Sequence, residues 1–322
     1  MINLMINNLI QKINQTSKVA VISHINPDGD SLGSTIGLGI ALNKICDDIT
    51  IYNTDIVPLK FKFLPNIDLL TKYDNYPECK YDFCFVLDCG DEDRLGECKR
   101  ILNQSKTVIN IDHHISNTMF GDVNIVDHDA SATCEIIYHI LEDNFIIDKN
   151  IATCLYTGIL TDTGNFTYSN TTYKTHEIVS KLVKTGIDIE NISFNLYQNN
   201  SLQSVKLTGS ILSNLEVTMG GKVSFVTITC EQVKSYGVTI DEVDSVVNFA
   251  RDIKGIEVAI LIKEQFNSTK VSLRSKSNFD VSEIARHFNG GGHKKAAGIT
   301  TTCTPIEIKN KIKDILSIYL GR

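Results

Sequence analysis

The sequence predicts two domains: an N-terminal α/β domain with a doubly wound, mostly parallel sheet and a smaller C-terminal α+β domain. The first observation is length, since 322 residues at about 150 residues per domain correspond to two domains. The second is that short apolar runs alternate with helical stretches in the first half, which is typical of βαβ units. The third is a hairpin signal further on, where Gly220-Gly221 separates two strand-like runs.

Four apolar runs in the first half are predicted to form the parallel strands. They are Lys18–Ser23, Ile49–Tyr52, Asp82–Leu87 and Thr107–Ile111. The spacing of apolar residues also predicts helices. These are Gly33–Ile45, Ala132–Glu142, Asn150–Leu160 and Thr175–Lys184. Gly186 follows the last helix at a position that favours a helix end, and we place the first domain at residues 1–187.

The second half has a different pattern, in which the predicted strands and helices do not alternate regularly. The predicted strands are Leu215–Met219, Lys222–Thr229, Glu257–Ile262 and Lys270–Leu273. The predicted helices are Asp241–Ile253, Val281–Phe288 and Pro305–Tyr319, the last with proline in its first turn. Residues 188–205 are polar with a helical pattern, which predicts a linker, and the second domain is expected at residues 206–322.

The composition excludes several classes of protein. Hydrophobic residues make up 42% and charged residues 21%, which is the balance of a globular chain and argues against disorder. The nine cysteines are odd in number and form no Cys-x-x-Cys pair, so we expect reduced thiols in a cytoplasmic protein. No apolar run approaches the ~20 residues of a membrane span. Of the net charge of −7, residues 241–322 contribute +3 and the preceding residues −10, and this acidic part disfavours a phosphate ligand unless cations neutralise it.

Histidine and aspartate residues follow three of the predicted strands, and one further aspartate ends a helix. They are His24, Asp28, Asp30, Asp88, Asp112, His113, His114 and Asp162. If the Asn-Pro-Asp-Gly segment is considered by itself, turn formation is enough to explain it. If Asp162 is considered by itself, a polar side chain with ordinary hydrogen-bond partners is enough to explain it. A solvated loop at all three strand ends would require the same coincidence three times. Because parallel strands end at one edge of the sheet, we expect these side chains to gather there.

Carboxylates that gather in one cleft repel each other unless cations are present. Oxygen ligands with a little imidazole suit Mn²⁺ or Mg²⁺ better than a tetrahedral structural zinc. Two such ions, about 3.5–4 Å apart and bridged by one carboxylate, form a site for phosphoryl transfer. The pattern therefore predicts a two-metal site, with a purely structural acidic cluster as the alternative.

A glycine-rich turn, NGGGHKKAAG, is the most specific feature of the second half. Gly290, Gly291 and Gly292 allow backbone N–H groups to approach an anion closely, and His293 adds a donor. Arg274, in VSLRS, can bind a phosphate with two parallel N–H bonds. A flexible turn and an exposed strand residue are the alternatives, and neither feature alone decides between them.

Six ordered motifs give the chain a family resemblance over essentially its whole length. SHINPDGDSLGS, LDCGDEDRLG, IDHH and GILTDTGNFTYSN resemble the four motifs of the DHH phosphoesterase superfamily, and VSLRS and NGGGHKKAAG resemble its associated C-terminal domain. The two-domain form is similar to the bacterial nanoRNase/pAp phosphatase group. The resemblance implies a catalytic domain at 1–187, a substrate-binding domain at 206–322 and an active site in the cleft between them.

The resemblance also implies a role for each motif residue. His24 and Asp28 would bind one divalent ion, Asp30, His113 and Asp162 the other, and Asp88 both. His114 would contact the scissile phosphate, and Asp112 would orient its neighbours. Arg274, His293 and the backbone of Gly290, Gly291 and Gly292 would hold the non-reacting phosphate and the base. Mn²⁺ is the expected ion, with Mg²⁺ as the alternative. Asn289 stands where relatives often have glycine, and asparagine tolerates the left-handed conformation.

The expected activity is hydrolysis of short oligoribonucleotides to mononucleotides and of 3′-phosphoadenosine 5′-phosphate (pAp) to AMP. Short single-stranded RNA, dinucleotides and pAp are the expected substrates, with no stable duplex and no membrane, and a homodimer is left open. The alternative is a soluble phosphodiesterase of cyclic di-AMP or pApA. A single-strand DNA exonuclease and an inorganic pyrophosphatase are less favoured. A non-catalytic nucleotide sensor would lack a metal ligand, and the motifs lack none.

Overall fold

A computed structural model describes residues 9–73, 79–276 and 279–320 of the chain. The chain divides into two compact units, Met1–Asn199 and Asn200–Arg322. The assignment of residues 188–205 to a linker stays a prediction. In that range the structure has helical residues up to Gln198 and again from Leu202.

The first unit contains a six-stranded sheet in which every paired neighbour runs parallel. Its strands are β1 (Lys18–Ser23), β2 (Asp48–Asn53), β3 (Leu70–Lys72), β4 (Tyr81–Leu87), β5 (Ser105–Asp112) and β6 (Val123–Val126). The order β3-β2-β1-β4-β5-β6 reverses direction between β1 and β4, which is the doubly wound arrangement. The predicted fold class is therefore confirmed, and the reversal places a ligand-binding crevice at the carboxyl ends of β1 and β4.

Among the described residues of the first unit, five α-helices follow β1, of which the first two pack on this sheet and the third packs on those two. They are α1 (Gly29–Leu42), α2 (Thr133–Glu142), α3 (Lys149–Asp162), α4 (Tyr173–Val183) and α5 (Ile189–Ser193). The predicted start of α1 at Gly33 is wrong, because Asp28 caps the helix and accepts hydrogen bonds from the backbone N–H groups of Asp30 and Ser31. The helix therefore begins at Gly29, and Asp30 lies in its first turn.

The second unit contains a six-stranded mixed sheet of order β11-β12-β10-β9-β8-β7. Its strands are β7 (Glu216–Thr218), β8 (Val223–Ile228), β9 (Val258–Glu264), β10 (Thr269–Ser275), β11 (Gly291–His293) and β12 (Ala296–Thr301). Its helices are α6 (Leu202–Ser213), α7 (Cys230–Tyr236), α8 (Val246–Asp252), α9 (Val281–Arg286) and α10 (Pro305–Leu320). The predicted hairpin at Gly220-Gly221 is confirmed, since β7 and β8 pair antiparallel.

One prediction in the second unit is wrong. The helix expected over Asp241–Ile253 is divided into a 3₁₀ turn, Ile240–Val243, and α8. The division places the carboxylate of Asp244 2.6 Å from the amine of Lys263, a buried cation that needs a partner. Part of the glycine-rich turn forms the edge strand β11. Among the described residues, no helix is long and apolar enough to cross a membrane.

Candidate metal centre

The candidate site lies at the carboxyl ends of β1, β4 and β5, which are neighbours in the first sheet. His24 follows β1, Asp88 follows β4, and Asp112 is the last residue of β5. The second half of each strand is buried, and the site residues stand at or directly after its carboxyl end. The structure therefore gathers residues that lie far apart in the sequence at one edge of the sheet.

The first donor set consists of His24, Asp28 and Asp88. The Nε2 atom of His24 lies 3.4 Å from Oδ2 of Asp88 and 3.7 Å from Oδ2 of Asp28. The Nδ1 atom of His24 lies 2.7 Å from the carbonyl oxygen of Ile25. Because a carbonyl only accepts hydrogen bonds, Nδ1 carries the proton and Nε2 of the neutral ring has the lone pair.

The second donor set consists of Asp30, His113 and Asp162. The Nε2 atom of His113 lies 3.6 Å from Oδ2 of Asp162 and 3.9 Å from Oδ2 of Asp30. The Nδ1 atom of His113 donates to the carbonyl oxygen of Ala130 at 3.3 Å. Both histidines therefore present the same nitrogen to a pair of carboxylates.

Asp88 is shared between the two sets. Its Oδ2 faces His24, and its Oδ1 lies 3.7 Å from Nε2 of His113. Asp88 also has a φ of +54°, in the left-handed region that few residues other than glycine adopt. Strained backbone of this kind is concentrated at functional sites. A third group, Asp88 with His113 and His114, also has its donor atoms close together.

The donor sets fit divalent cations. The nitrogen–oxygen separations of 3.4–3.9 Å are longer than the about 2.7–3.2 Å that is typical of an N–H···O hydrogen bond. Each ring instead donates its other N–H to a backbone carbonyl, which is how proteins orient metal-binding histidines. Carboxylate oxygens with one imidazole in each set match the donors preferred by Mn²⁺ and Mg²⁺.

The electrostatics of the metal-free site are unfavourable. Burial and the neighbouring carboxylates of Asp30 and Asp28 raise the pKa of Asp88 well above its usual range. Burial and the same two carboxylates raise the pKa of Asp162 to about 7, although His113 lowers it. The pKa of His113 rises to about 9, because the surrounding carboxylates outweigh the opposing effect of burial. Bound cations would remove this repulsion.

Asp112 and His114 form a separate hydrogen-bonded pair beside the donor sets. The Nδ1 atom of His114 lies 2.6 Å from Oδ1 of Asp112. Asn117 donates from Nδ2 to Oδ2 of Asp112 at 2.6 Å and to Oδ1 of Asn110 at 2.8 Å. Burial would raise the pKa of Asp112, but the hydrogen bonds from His114 and Asn117 hold it well below its usual value. Asp112 is thus a charged, fixed partner for the His114 ring.

Several residues of the site were not identified from the sequence. The backbone N–H groups of Thr133 and Cys134, at the start of α2, donate to the two oxygens of Asp30 at 2.6 and 2.9 Å. The hydroxyl of Thr133 donates to Oδ1 of Asp88 at 3.2 Å. Asn117 lies close to IDHH in the sequence, so its amide was within reach of sequence reasoning. The Thr133 contacts join residues 103 and 45 positions apart, and no local spacing reveals them.

The predicted substrate-binding residues lie in the second unit. Arg274 and His293 are both paired with Ala296, so their backbones flank one position of the sheet. Gly292 has a φ of +138°, and a Cβ atom there would lie 2.4 Å from the carbonyl oxygen of Ala296. Asn289 has a φ of +55°, as expected for an asparagine in the left-handed conformation. Gly292 therefore has a structural reason to be glycine, and the role of the three glycines in phosphate binding stays a prediction.

Comparison with known proteins now adds to this geometry. Residues 18–159 match the DHH family, N-terminal domain, and residues 220–319 match the DHHA1 domain. A Thermus thermophilus protein named "Bifunctional oligoribonuclease and PAP phosphatase NrnA" is 30% identical over 286 residues, which cover 88% of this chain and 83% of that protein. The chain belongs to the DHH family.

Other proteins resemble this DHH-family chain along most of its length. A Bacillus subtilis protein with the same name is 29% identical over 296 residues, or 90% of this chain and 91% of that protein. The crystal structure of an exopolyphosphatase-related protein from Bacteroides fragilis has a TM-score of 0.90 at 26% identity and covers 100% of this chain and 98% of that one. Asp162 lies beyond the residues that match the DHH domain, so its place in the site rests on geometry.

Proposed function

We propose that this chain is a divalent-metal-dependent phosphoesterase that hydrolyses short oligoribonucleotides to mononucleotides and pAp to AMP. The observation that carries the proposal is the position of Asp88, whose two oxygens face two different histidines, each beside a further carboxylate. That arrangement suits a pair of ions bridged by one carboxylate. The substrate class is supported by relatives of similar length whose names state both activities.

Each donor set would hold one ion, and Asp88 would bind both. His24 and Asp28 would complete the first site, and Asp30, His113 and Asp162 the second. The bound ions would supply activation of water at neutral pH and neutralisation of the phosphate charge. The carboxylate-rich donor set supports Mn²⁺, with Mg²⁺ as the alternative.

The remaining residues of the site would bind and orient the phosphate. Asp112 accepts the hydrogen bond from Nδ1 of His114, so the ring is held with Nε2 as the atom that we expect to contact the scissile phosphate. In the second domain, Arg274, His293 and the backbone of Gly290, Gly291 and Gly292 would hold a phosphate away from the reacting one. Such remote contacts can direct binding energy to orientation at the reacting group.

This assignment divides the chain by role. We propose that residues 1–187 are the catalytic domain and residues 206–322 the substrate-binding domain, with 188–205 as the linker. All nine cysteines are free thiols, which supports a reducing compartment, and we propose the cytoplasm.

A panel of substrates at equal concentration tests the function. The EDTA-treated full-length chain would be assayed with MnCl₂ against pAp, pApA, cyclic di-AMP and a five-nucleotide RNA. We expect AMP from pAp and mononucleotides from the RNA, and no product when EDTA remains. Cleavage of cyclic di-AMP or pApA without AMP from pAp and mononucleotides from the RNA, or unchanged turnover in EDTA, would contradict the proposal. Binding of the substrates without any product would support a nucleotide sensor instead.

A further inference from the structure

One amide side chain connects the segment before α2 with the end of α3. Asn170 lies in the segment between α3 and α4. Its Nδ2 donates to the backbone carbonyl of Ser131 at 2.8 Å and to the backbone carbonyl of Asp162 at 3.2 Å. Both amide hydrogens are therefore used, one toward the segment before α2 and one toward the last residue of α3.

The two ends joined in this way position two carboxylates of the same set. The start of α2 holds Asp30, because its first N–H groups donate to both oxygens of that side chain. The end of α3 is Asp162 itself. The two carboxylates repel each other when no cation is bound, and the repulsion favours separation of the helix ends. The contacts of Asn170 oppose that separation.

Ser131 is itself firmly held. One oxygen of Glu135, Oε2, accepts hydrogen bonds from the backbone N–H of Ser131 at 3.2 Å, from its hydroxyl at 2.6 Å and from the hydroxyl of Thr175 at 3.2 Å. All three residues are buried. This network fixes the segment before α2 and connects it to α4, so Asn170 holds Asp162 against a rigid part of the unit.

The other polar atom of Asn170 has a different environment. Its Oδ1 is buried and has no hydrogen-bond partner within the part of the chain that the structure describes. Replacing that oxygen by a methyl group therefore removes no hydrogen bond to the described residues. Leucine has the same branched arrangement of heavy atoms as asparagine, so Asn170→Leu removes the two donors and keeps the branching with a bulkier side chain.

We propose that Asn170 is a positioning residue for the second metal site, which holds Asp162 opposite Asp30 so that one cation can bind between them. The inference rests on the proposed function only in that it requires two metal sites. It predicts an effect on one ion of the pair, because Asn170 makes these contacts to the second donor set and none of them to His24 or Asp28.

Metal binding to the full-length chain tests this role directly. Wild type, Asn170→Leu and Asn144→Leu would be stripped with EDTA and titrated with MnCl₂ by equilibrium dialysis, with electron paramagnetic resonance to detect paired Mn²⁺. Asn144 is the matched control, since its Nδ2 donates to the carbonyl of Ile140 at 2.8 Å beyond the far end of α2. We expect two ions in wild type and in Asn144→Leu, and a second ion bound about 10- to 100-fold more weakly in Asn170→Leu.

Several results would overturn the inference. One is that Asn170→Leu binds each of the two ions with the same affinity as wild type. Another is that Asn170→Leu weakens the binding of both ions equally, and a third is that Asn144→Leu also loses the second ion. If Asn170→Leu does not fold, Asn170→Ala would be compared with wild type in the same titration. Alanine also removes the two donors, and it leaves a space where the amide was. A wild-type chain that binds two ions but hydrolyses no substrate would contradict the proposed function and leave this inference intact.

Discussion

Asp88 is the residue on which both donor sets depend, because each of its oxygens faces a different histidine. Asn at this position keeps the shape and removes the charge. We expect Asp88→Asn to lower turnover of pAp at saturating MnCl₂ by more than about 100-fold, since loss of an outer-shell partner alone costs 10- to 100-fold. Steady-state kinetics on the EDTA-stripped and Mn²⁺-reloaded variant measure this.

Although Asp88→Asn is expected to lower turnover, it should increase the stability of the metal-free protein. Burial and the neighbouring carboxylates raise the pKa of Asp88, so its charge is unfavourable there. We expect Asp88→Asn to raise the melting temperature in EDTA at neutral pH, by about 2–4 °C for each kcal/mol of repulsion removed. Asp68→Asn, at an exposed position, is the control and should change neither the turnover of pAp nor the melting temperature in EDTA. A variant with wild-type turnover would show that Asp88 does not bridge two ions.

Asn117 provides a second test at the scale of one side chain, because it fixes Asp112 and through it the ring of His114. In Asn117→Asp the acceptor for the N–H of Met119 remains, while a carboxylate oxygen replaces the donor that faces Asp112. We expect kcat for pAp to fall about 10- to 100-fold with Mn²⁺ affinity unchanged.

Asn124→Asp is the matched control for this loop. Asn124 accepts from the N–H of Gly121 and donates to backbone carbonyls of the same turn, so its substitution also removes donors while keeping an acceptor. The control should retain kcat. An equal loss in both variants would indicate a general disturbance of the loop and contradict a specific role of Asn117.

At the scale of elements, the close packing of α1 against α3 sets the distance between the two helices that carry Asp30 and Asp162. A Cβ atom at Gly33 would lie 2.4 Å from the backbone carbonyl oxygen of Cys154, so the helices would have to separate. We expect Gly33→Ala to destabilise the fold by about 1–3 kcal/mol, as other overpacked cores do. Chemical denaturation of the EDTA-treated chain would measure this change.

Gly209→Ala is the opposite case within the same chain. Gly209 is exposed on α6, and a Cβ atom there would have no neighbour within 4 Å. This substitution should stabilise the fold by about 0.5–1 kcal/mol, because alanine is the better helix former. Replacing glycine by alanine is thus expected to lower the stability of the fold at Gly33 and to raise it at Gly209. Destabilisation by both substitutions would show that separation of the helices is not the cause.

The elements also show which structure the sequence could predict. The central strands β1, β4 and β5 each contain a buried, mainly apolar segment, and each was predicted to within two residues at either end. The edge strands β3 and β6 have three and four residues, too few for a periodic pattern, and were missed. The predicted start of α1 at Gly33 lies too late because the cap at Asp28, and not the apolar pattern, determines where this helix begins.

The residues of the candidate site also differ in whether the sequence alone could reveal them. His24, Asp88 and Asp112 were found because they stand at strand ends, where topology alone brings them together. The contacts of Thr133 and Asn170 to the site depend on how helices pack, and they join residues that share no sequence pattern. Asn117 is intermediate, because it lies on the same loop as His113 and His114 but only the fold shows that it contacts Asp112.

At the scale of the whole molecule, the charges of the site predict how the metal-free protein responds to pH. The pKa of Asp162 is raised from 3.8 to about 7 by burial and by Asp30 and Asp28, against the effect of His113. The pKa of His113 is raised from 6.5 to about 9, because its carboxylate neighbours outweigh burial. Both groups bind protons more tightly in the folded than in the unfolded chain, so their contribution to stability is present at low pH and is lost as the pH rises through these values.

Unfolding temperatures in EDTA should therefore fall from about pH 4 to about pH 9, the interval that these two groups span. Asp112 does not oppose this trend, because its lowered pKa affects stability only at more acidic pH. With MnCl₂ the trend should reverse above neutral pH, since cations bind the deprotonated ligands and stabilise the folded state in proportion to their affinity. Calorimetry across this range, with and without the metal, tests the prediction. A falling trend of equal slope in both series would mean that these carboxylates and His113 do not bind Mn²⁺.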